Sequence, residues 1–220
     1  MKFVVLGDVH GRFDAIWSAF AHERPDAILH VGDLAMQDYA EKRLDVGEYP
    51  EKLPPVPFVW VLGNHENLET YEGVGKPLGF LASTTLGGNQ ILGVGGIPGK
   101  KRDIHWGVNR TLDVLAKISR AFILVSHETC APFTKNGTPM GSPELAHHCR
   151  RLRPKFHFSG HHHYADVQMI DGVAHYRLPY AWDGYAVYED GRVRRRPRRS
   201  VHDGFLIQKG PSRTNLSQRI

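Results

Sequence analysis

Apolar residues in this chain cluster in short runs that stop abruptly at a glycine or a polar side chain: Phe3–Leu6, Ala27–Val31, Phe58–Leu62, Phe122–Val125 and Phe156–Ser159. Runs this short, bounded by turn signals, predict strands buried on both faces. Between the first two, Phe13, Ile16, Trp17 and Phe20 share one face at helical spacing, which predicts a helix over 13–21. Pro25-Asp26 restarts the chain, and residues 38–44 can form a short helix before Tyr49-Pro50 and Pro54-Pro55 break it. Residues 80–98 alternate apolar pieces with glycines and predict two antiparallel strands, the second over 90–94. Leu112, Leu115 and Ile118 predict a helix over 109–119 with Asn109 as its cap, and Ser142-Pro143-Glu144 opens another over 143–152 with Ser142 at the cap.

The last quarter changes character. Residues 166–170 and 173–178 flank Asp171-Gly172, and residues 184–189 and 192–195 flank Asp190-Gly191, the usual mark of tight hairpins. The fold class expected is α/β: a two-sheet β-sandwich with mixed sheets, a parallel βα half, a hairpin-rich half and helices outside. No internal repeat or dividing linker is visible, so residues 1–200 read as one domain and 201–220 as a mobile tail.

Each predicted buried strand leads directly into a polar motif: Asp8-Val9-His10, Gly32-Asp33, Gly63-Asn64-His65-Glu66, Ser126-His127 and Gly160-His161-His162-His163. All five are therefore expected on one rim of one sheet. Together they offer carboxylate, imidazole and amide donors, the mixed set that suits a pair of divalent transition-metal ions. Asp8 and His10 lie two apart and would face the same side if the strand continues through them, as would His161 and His163. The carboxylate of Asp33 could bridge two ions roughly 3.5–4 Å apart, which an imidazole could not. Asn64 adds a neutral oxygen, and His127 completes a set of seven donors with Asp8, His10, Asp33, His161 and His163. Glu66 and Glu128 read as partners that orient the imidazoles. His22, His30, His105, His147, His148, His157, His175 and His202 read as surface or satisfied core residues, and His162 as a neighbour of the site. The tryptophans are packing candidates, with Trp106 able to line a groove.

Composition adds limits. The chain has 220 residues, a formal charge of +5 and a pI near 9.2, a modest basic excess that favours anionic partners without choosing one. Two cysteines make no disulfide framework and suggest a reducing, cytoplasmic setting. The opening residues resemble no signal segment, and no apolar stretch approaches the roughly 20 residues of a membrane span. Lys100-Lys101-Arg102 and the arginines of 192–199 could meet a polyanion, although an arginine-rich edge strand also discourages sheet-to-sheet association. Nothing in the pattern marks an oligomeric interface.

Taken in order, the five motifs resemble the signature of the calcineurin-like metallophosphoesterases, over residues 3–163. The resemblance implies two metal ions; a nitrogen and oxygen donor set tolerates manganese, iron, zinc and nickel alike, and manganese is the metal expected. One would be held by Asp8, His10, Asp33 and His163, the other by Asp33, Asn64, His127 and His161. It implies that His65 is catalytic and not a ligand, facing the substrate and protonating the departing oxygen after in-line attack by a metal-bridging hydroxide. Arg12, which ends the first motif, and Lys100, Lys101 and Arg102 are the candidate contacts to substrate phosphate.

Gly7–Arg12 and Gly63–Glu66 are similar to the phosphoprotein phosphatase branch, but Asp33-Leu34-Ala35 lacks that branch's Asp-Arg-Gly ending. Glu66–Glu69 and Leu86–Ile97 are similar in rhythm to lariat-debranching-type phosphodiesterases, which usually carry cysteine where His10 stands and continue into a longer C-terminal extension. The activity expected is hydrolysis of nucleotide or nucleic-acid phosphodiesters. The alternatives are a phosphomonoesterase, such as a protein phosphatase or dinucleoside polyphosphate hydrolase, or a non-catalytic scaffold, which would not be expected to keep both His10 and His65.

Overall fold

The computed structural model describes residues 1–34, 36–37, 44–45, 53–66, 75–78, 81–98, 105–106, 115, 117–118, 121–130 and 133–197. Apart from short two-stranded ribbons, the strands of the first half are β1 (Lys2–Leu6), β2 (Ala27–His30), β3 (Phe58–Trp60), β4 (Lys76–Pro77), β5 (Leu81–Leu86) and β6 (Asn89–Val94). Those of the second half are β7 (Ile123–Ser126), β8 (Phe156–Ser159), β9 (Asp166–Ile170), β10 (Val173–Arg177), β11 (Gly184–Glu189) and β12 (Arg192–Pro197). Helix α1 spans Asp14–Glu23 and helix α2 spans Pro143–Leu152.

These strands form two six-stranded sheets, ordered β12-β11-β1-β2-β3-β4 and β9-β10-β8-β7-β6-β5. In the first sheet β1, β2, β3 and β4 run parallel, and the β11–β12 hairpin joins antiparallel to β1. In the second sheet β6, β7, β8 and β10 run parallel, with β5 and β9 antiparallel at the two edges. Both sheets are therefore mixed.

The alternation of side chains along a strand distributes residues among three layers of core. Phe3 and Val5 of β1 face inward, where they meet Leu29, Val59, Ile91, Ile123, Val125, Phe156 and Phe158 between the sheets. Val4 and Leu6 face outward against Phe13 and Ile16 at α1. On the far face of the second sheet, Leu92, Val94 and Leu124 pack against Leu145 and Leu152 of α2. Each strand between two apolar layers needs apolar residues at every position, which is why the runs in the sequence are continuous.

The helix starts differ in chemistry. Ser142 caps α2 by accepting a hydrogen bond from the Leu145 backbone N–H at 3.1 Å, ahead of Pro143 in the first turn. Phe13 at the start of α1 makes no side-chain cap, and α1 relies on its apolar face. The two Asp-Gly hairpins form as expected, with Asp171, Gly172, Asp190 and Gly191 all at positive φ. Of 38–44, expected as a short helix, only Leu44 falls among the described residues, and it lies in a strand, Leu44-Asp45, that pairs with Met36-Gln37; of 109–119 only Leu115, Lys117 and Ile118 are described, and Leu115 and Lys117 are helical. Residues 198–220, and with them the expected tail, lie outside the described residues. Among the described residues no helix is long and apolar enough to cross a membrane.

Candidate metal centre

The expectation that one sheet carries all five motifs is corrected by the topology. Loops after β1, β2 and β3 belong to the first sheet and bring Asp8, His10, Asp33, Asn64 and His65; loops after β7 and β8 belong to the second and bring His127, His161 and His163. They meet because the C-terminal ends of these strands share one rim of the sandwich. There the His127 side chain crosses to the Val31 carbonyl, which accepts from Nδ1 at 2.9 Å.

Asp33 lies at the middle. Its Oδ2 is 3.4 Å from His127 Nε2 and 3.8 Å from Nε2 of both His10 and His65, while Oδ1 accepts the His65 backbone N–H at 3.0 Å. Asp8, fully buried, is 2.6 Å from His163 Nε2, and its two oxygens accept the His161 backbone N–H at 3.2 and 3.1 Å. His10 Nε2 lies 3.4 Å from His163 Nε2, and Asn64 Oδ1 lies 2.9 Å from His127 Nε2. Donor atoms within 4.8 Å of one another form one group of Asp8, His10 and His163 and a second of Asp33, His127 and His161, linked by a third of His10, Asp33 and His65.

The backbone route differs from the spacing argument. β1 ends at Leu6, so Asp8 and His10 converge through a turn in which His10 takes φ 45°, not through strand alternation. His161 and His163 likewise sit at φ 64° and 51°, and Asp33 at 58°. Left-handed conformations in four non-glycine donors are the local strain typical of functional loops. Two glycines make the close approach possible. A Cβ on Gly63 would lie 2.0 Å from Asp33 Oδ1, and one on Gly160 would lie 2.2 Å from Asp8 Oδ1.

The set fits divalent ions. Its donors are nitrogen and oxygen, and its two buried carboxylates are paired with imidazoles. The hydrogen bond from His127 Nδ1 to Val31 leaves Nε2 directed at Asp33 and Asn64, the orientation a metal-binding histidine requires. Electrostatics agree. Burial opposes charge on His127, but Asp33 outweighs it and raises the imidazole to about 10, so without another cation a proton occupies this position. Burial also resists charging Asp33, yet His127 and its neighbours hold that carboxyl well below the usual range. His161 moves to about 4, through burial and then the positive charge of His127.

Of the two carboxylates expected to orient imidazoles, Glu128 does so and Glu66, among the described residues, does not. The Glu66 oxygens accept the backbone N–H groups of Leu34 at 2.5 Å and of Gly63, tying the loops that carry Asp33 and Asn64. Burial pushes its carboxyl up to about 8. Glu128 does orient an imidazole, but that of His162, at 2.7 Å. Arg12 Nη2 pairs with Asp14 at 3.1 Å, and its guanidinium lies 5.1 Å from the Trp182 ring centre. Lys100, Lys101 and Arg102 lie outside the described residues.

Tyr180 and Trp182 were not identifiable as site residues from the pattern. The Tyr180 ring stacks on His163 at 3.8 Å and on Trp182 at 4.4 Å, so an aromatic shelf runs from Arg12 to the rim. Their only local signal is an aromatic pair in the turn between β10 and β11, a turn fixed by the Ala181 N–H to the Asp8 carbonyl at 2.9 Å.

Two mixed sheets packed face to face, with histidines and aspartates meeting where their parallel strands end, constitute a metallophosphoesterase fold. The family model for calcineurin-like phosphoesterases matches residues 1–165, and the chain belongs to that family. Among solved structures it is similar to a protein of Thermus thermophilus (17% identity, 90% of this chain and 99% of that one, TM-score 0.62). It is also similar to a dimetal phosphatase from Danio rerio (14% identity, 90% and 96%, TM-score 0.62) and an archaeal phosphodiesterase (12% identity, 90% and 99%, TM-score 0.50). At these identities the likeness is one of fold. No curated protein matches the chain in sequence.

Proposed function

We propose that the chain is a binuclear metal-dependent phosphodiesterase acting on nucleotide or nucleic-acid esters, with manganese as the working metal. The observation that carries the reading is Asp33, whose single carboxylate is within reach of the imidazoles on both sides of the rim. In this reading Asp8, His10, Asp33 and His163 hold one ion and Asp33, Asn64, His127 and His161 the other. When bound, such ions acidify a water and neutralise charge developing on a phosphoryl group.

The protein's own residues supply the rest. His65 stands beside Asp33 without belonging to either terminal group of donors, and its side chain keeps 18% of its surface open to a substrate. Burial holds its imidazole below the ordinary value, and Asp33 works in the opposite direction. The negative charge of an arriving phosphate acts in the same direction as Asp33 and favours the protonated imidazole, which in this reading delivers its proton to the departing oxygen. Tyr180 fixes the His163 ring by stacking. Its other face is covered by Trp182, whose ring centre lies 5.1 Å from the Arg12 guanidinium, so the stack braces the His163 ring and sets a cation beside the rim, in keeping with an anionic ester.

The test is a substrate panel with manganese-reconstituted protein: bis-p-nitrophenyl phosphate, p-nitrophenyl phosphate, cyclic nucleotides and single-stranded DNA and RNA. Faster turnover of at least one diester than of the monoester is expected. A monoester rate above every diester rate would replace the diester assignment with a phosphomonoesterase.

A further inference from the structure

A second cluster of metal-ligating side chains lies beneath α2, on the outer face of the second sheet. His157 of β8 and His175 of β10 are cross-strand partners, in a row that continues through Leu124 to Leu92. Leu92 and Leu124 pack in the apolar layer beneath α2, which also contains Cys130 and Cys149. Two imidazoles thus continue a row whose other members are leucines, and both cysteines of the chain approach them. Cys130, Cys149, His157 and His175 are 1%, 2%, 0% and 3% exposed, and one donor atom from each lies within 4.8 Å of all the others.

The hydrogen bonds set where the lone pairs lie. Ser126 Oγ donates to the Glu128 carbonyl at 2.5 Å, so it must accept from His157 Nε2–H at 2.7 Å. That leaves the His157 lone pair on Nδ1, which faces Cys130 Sγ at 3.1 Å and His175 Nδ1 at 2.9 Å. Cys130 Sγ is also 3.7 Å from His175 Nδ1. The His175 Nδ1 that faces the His157 lone pair can meet it with its own N–H, as an ordinary hydrogen bond, or with a second lone pair that shares a metal ion; the two cysteine sulfurs beside them favour the ion. A tetrahedral zinc with bonds of about 2.3 Å to sulfur and 2.0–2.1 Å to nitrogen separates its donors by roughly 3.3–3.8 Å, a few tenths of an ångström from the spacings here. A cavity of about 10 Å³, lined in part by Cys130, Cys149 and His175, adjoins the group. Charge is also matched: two thiolates neutralise a divalent ion, and nearby Arg177 is already paired with Asp166 at 2.6 Å.

We propose that Cys130, Cys149, His157 and His175 form a closed, four-coordinate structural zinc site, separate from the centre at the rim. Thiolate and imidazole donors in tetrahedral array select zinc, and four protein ligands leave no position open for a substrate. The site fastens α2 to the sheet through Cys149. It also anchors the two rim loops, because Cys130 follows His127 by three residues and His157 precedes His161 by four.

The experiment is cobalt loading of the full chain, read by absorption and by native mass spectrometry. The expected result is a strong sulfur-to-cobalt charge-transfer band in the near ultraviolet, which the nitrogen and oxygen donors of the rim cannot produce. That band persists in Asp33→Asn and is lost, with one bound ion, in Cys149→Ser. A metal-loaded wild type without the band, an unchanged ion count in Cys149→Ser, or a Cys130–Cys149 disulfide found by peptide mapping overturns the proposal. If Cys149→Ser does not fold, zinc-edge X-ray absorption of the wild type decides: a sulfur shell near 2.3 Å supports the site and a purely nitrogen and oxygen shell overturns it.

Discussion

Asp33 concentrates several demands in one residue: a φ of 58°, a carboxylate shared among three imidazoles, and no room for a Cβ on the neighbouring Gly63. Asp33→Ala is expected to remove or unbalance both ions of the rim, since the lost carboxylate would serve two. Metal analysis after gel filtration checks this, and a full complement would remove the bridge. His65→Ala should keep the ions while kcat falls by roughly a hundredfold or more, the scale of a lost general acid. Departure of the ions with His65 would make it a ligand. Gly63→Ala should reduce metal retention at least about tenfold with unchanged circular dichroism, because the new methyl group displaces Asp33 before it disturbs any strand. Identical metal retention would show that the carboxylate has room to shift. The chemistry of these residues was legible because donor types recur after apolar runs. The left-handed backbone that aims them was not, because period-two spacing presumes a strand where β1 has already ended.

At the scale of elements, the arginine-rich strand β12 has found partners in helix α1. Arg194 and Arg196 reach Glu23 at 3.3 and 3.0 Å, Lys2 joins at 2.9 Å, and Arg194 also pairs with Glu189 at 2.8 Å. Half of the charge in this edge strand is thus engaged in holding α1 and β12 to β1, the structural alternative to polyanion binding. Burial pushes the Glu23 carboxyl up, but the hydrogen bond and charge of Lys2, then the arginines, outweigh it and hold it below its ordinary 4.5. A carboxyl lowered in the folded state stabilises fully above its unfolded value, and the contribution fades as pH falls through the folded one. Glu23→Gln should therefore cost about 1 kcal/mol near pH 7, with the gap from wild type closing as pH falls below 4.5 through the lowered folded-state value, as urea melts would measure. A gap that widens in acid would contradict the pairing. The hairpins and the Ser142 cap were readable because Asp-Gly and Ser-Pro-Glu act through their own backbone. α1 was readable from its apolar face alone, since no capping residue announces it.

For the whole molecule, the site exists only because two sheets share a rim. Local pattern identifies strands and their ends, but it does not say that β7 lies between β6 and β8 while β2 lies between β1 and β3 in another sheet. Strand ends read one by one therefore put every motif on one sheet. What decides the partition is packing between the sheets, through Phe3, Val5, Leu29, Val125 and Phe158 in the shared layer. The side chains that cross the rim, above all His127 to Val31, then lock the halves together. The same long-range placement hid the cysteine and histidine cluster, whose members stand in a loop, a helix and two strands with no spacing that marks them. Anomalous diffraction from crystals of the manganese-loaded protein would locate the ions themselves. Two peaks about 3.5–4 Å apart with the Asp33 carboxylate between them are predicted. A single peak, or a pair that Asp33 does not touch, would contradict a binuclear centre built from both sheets.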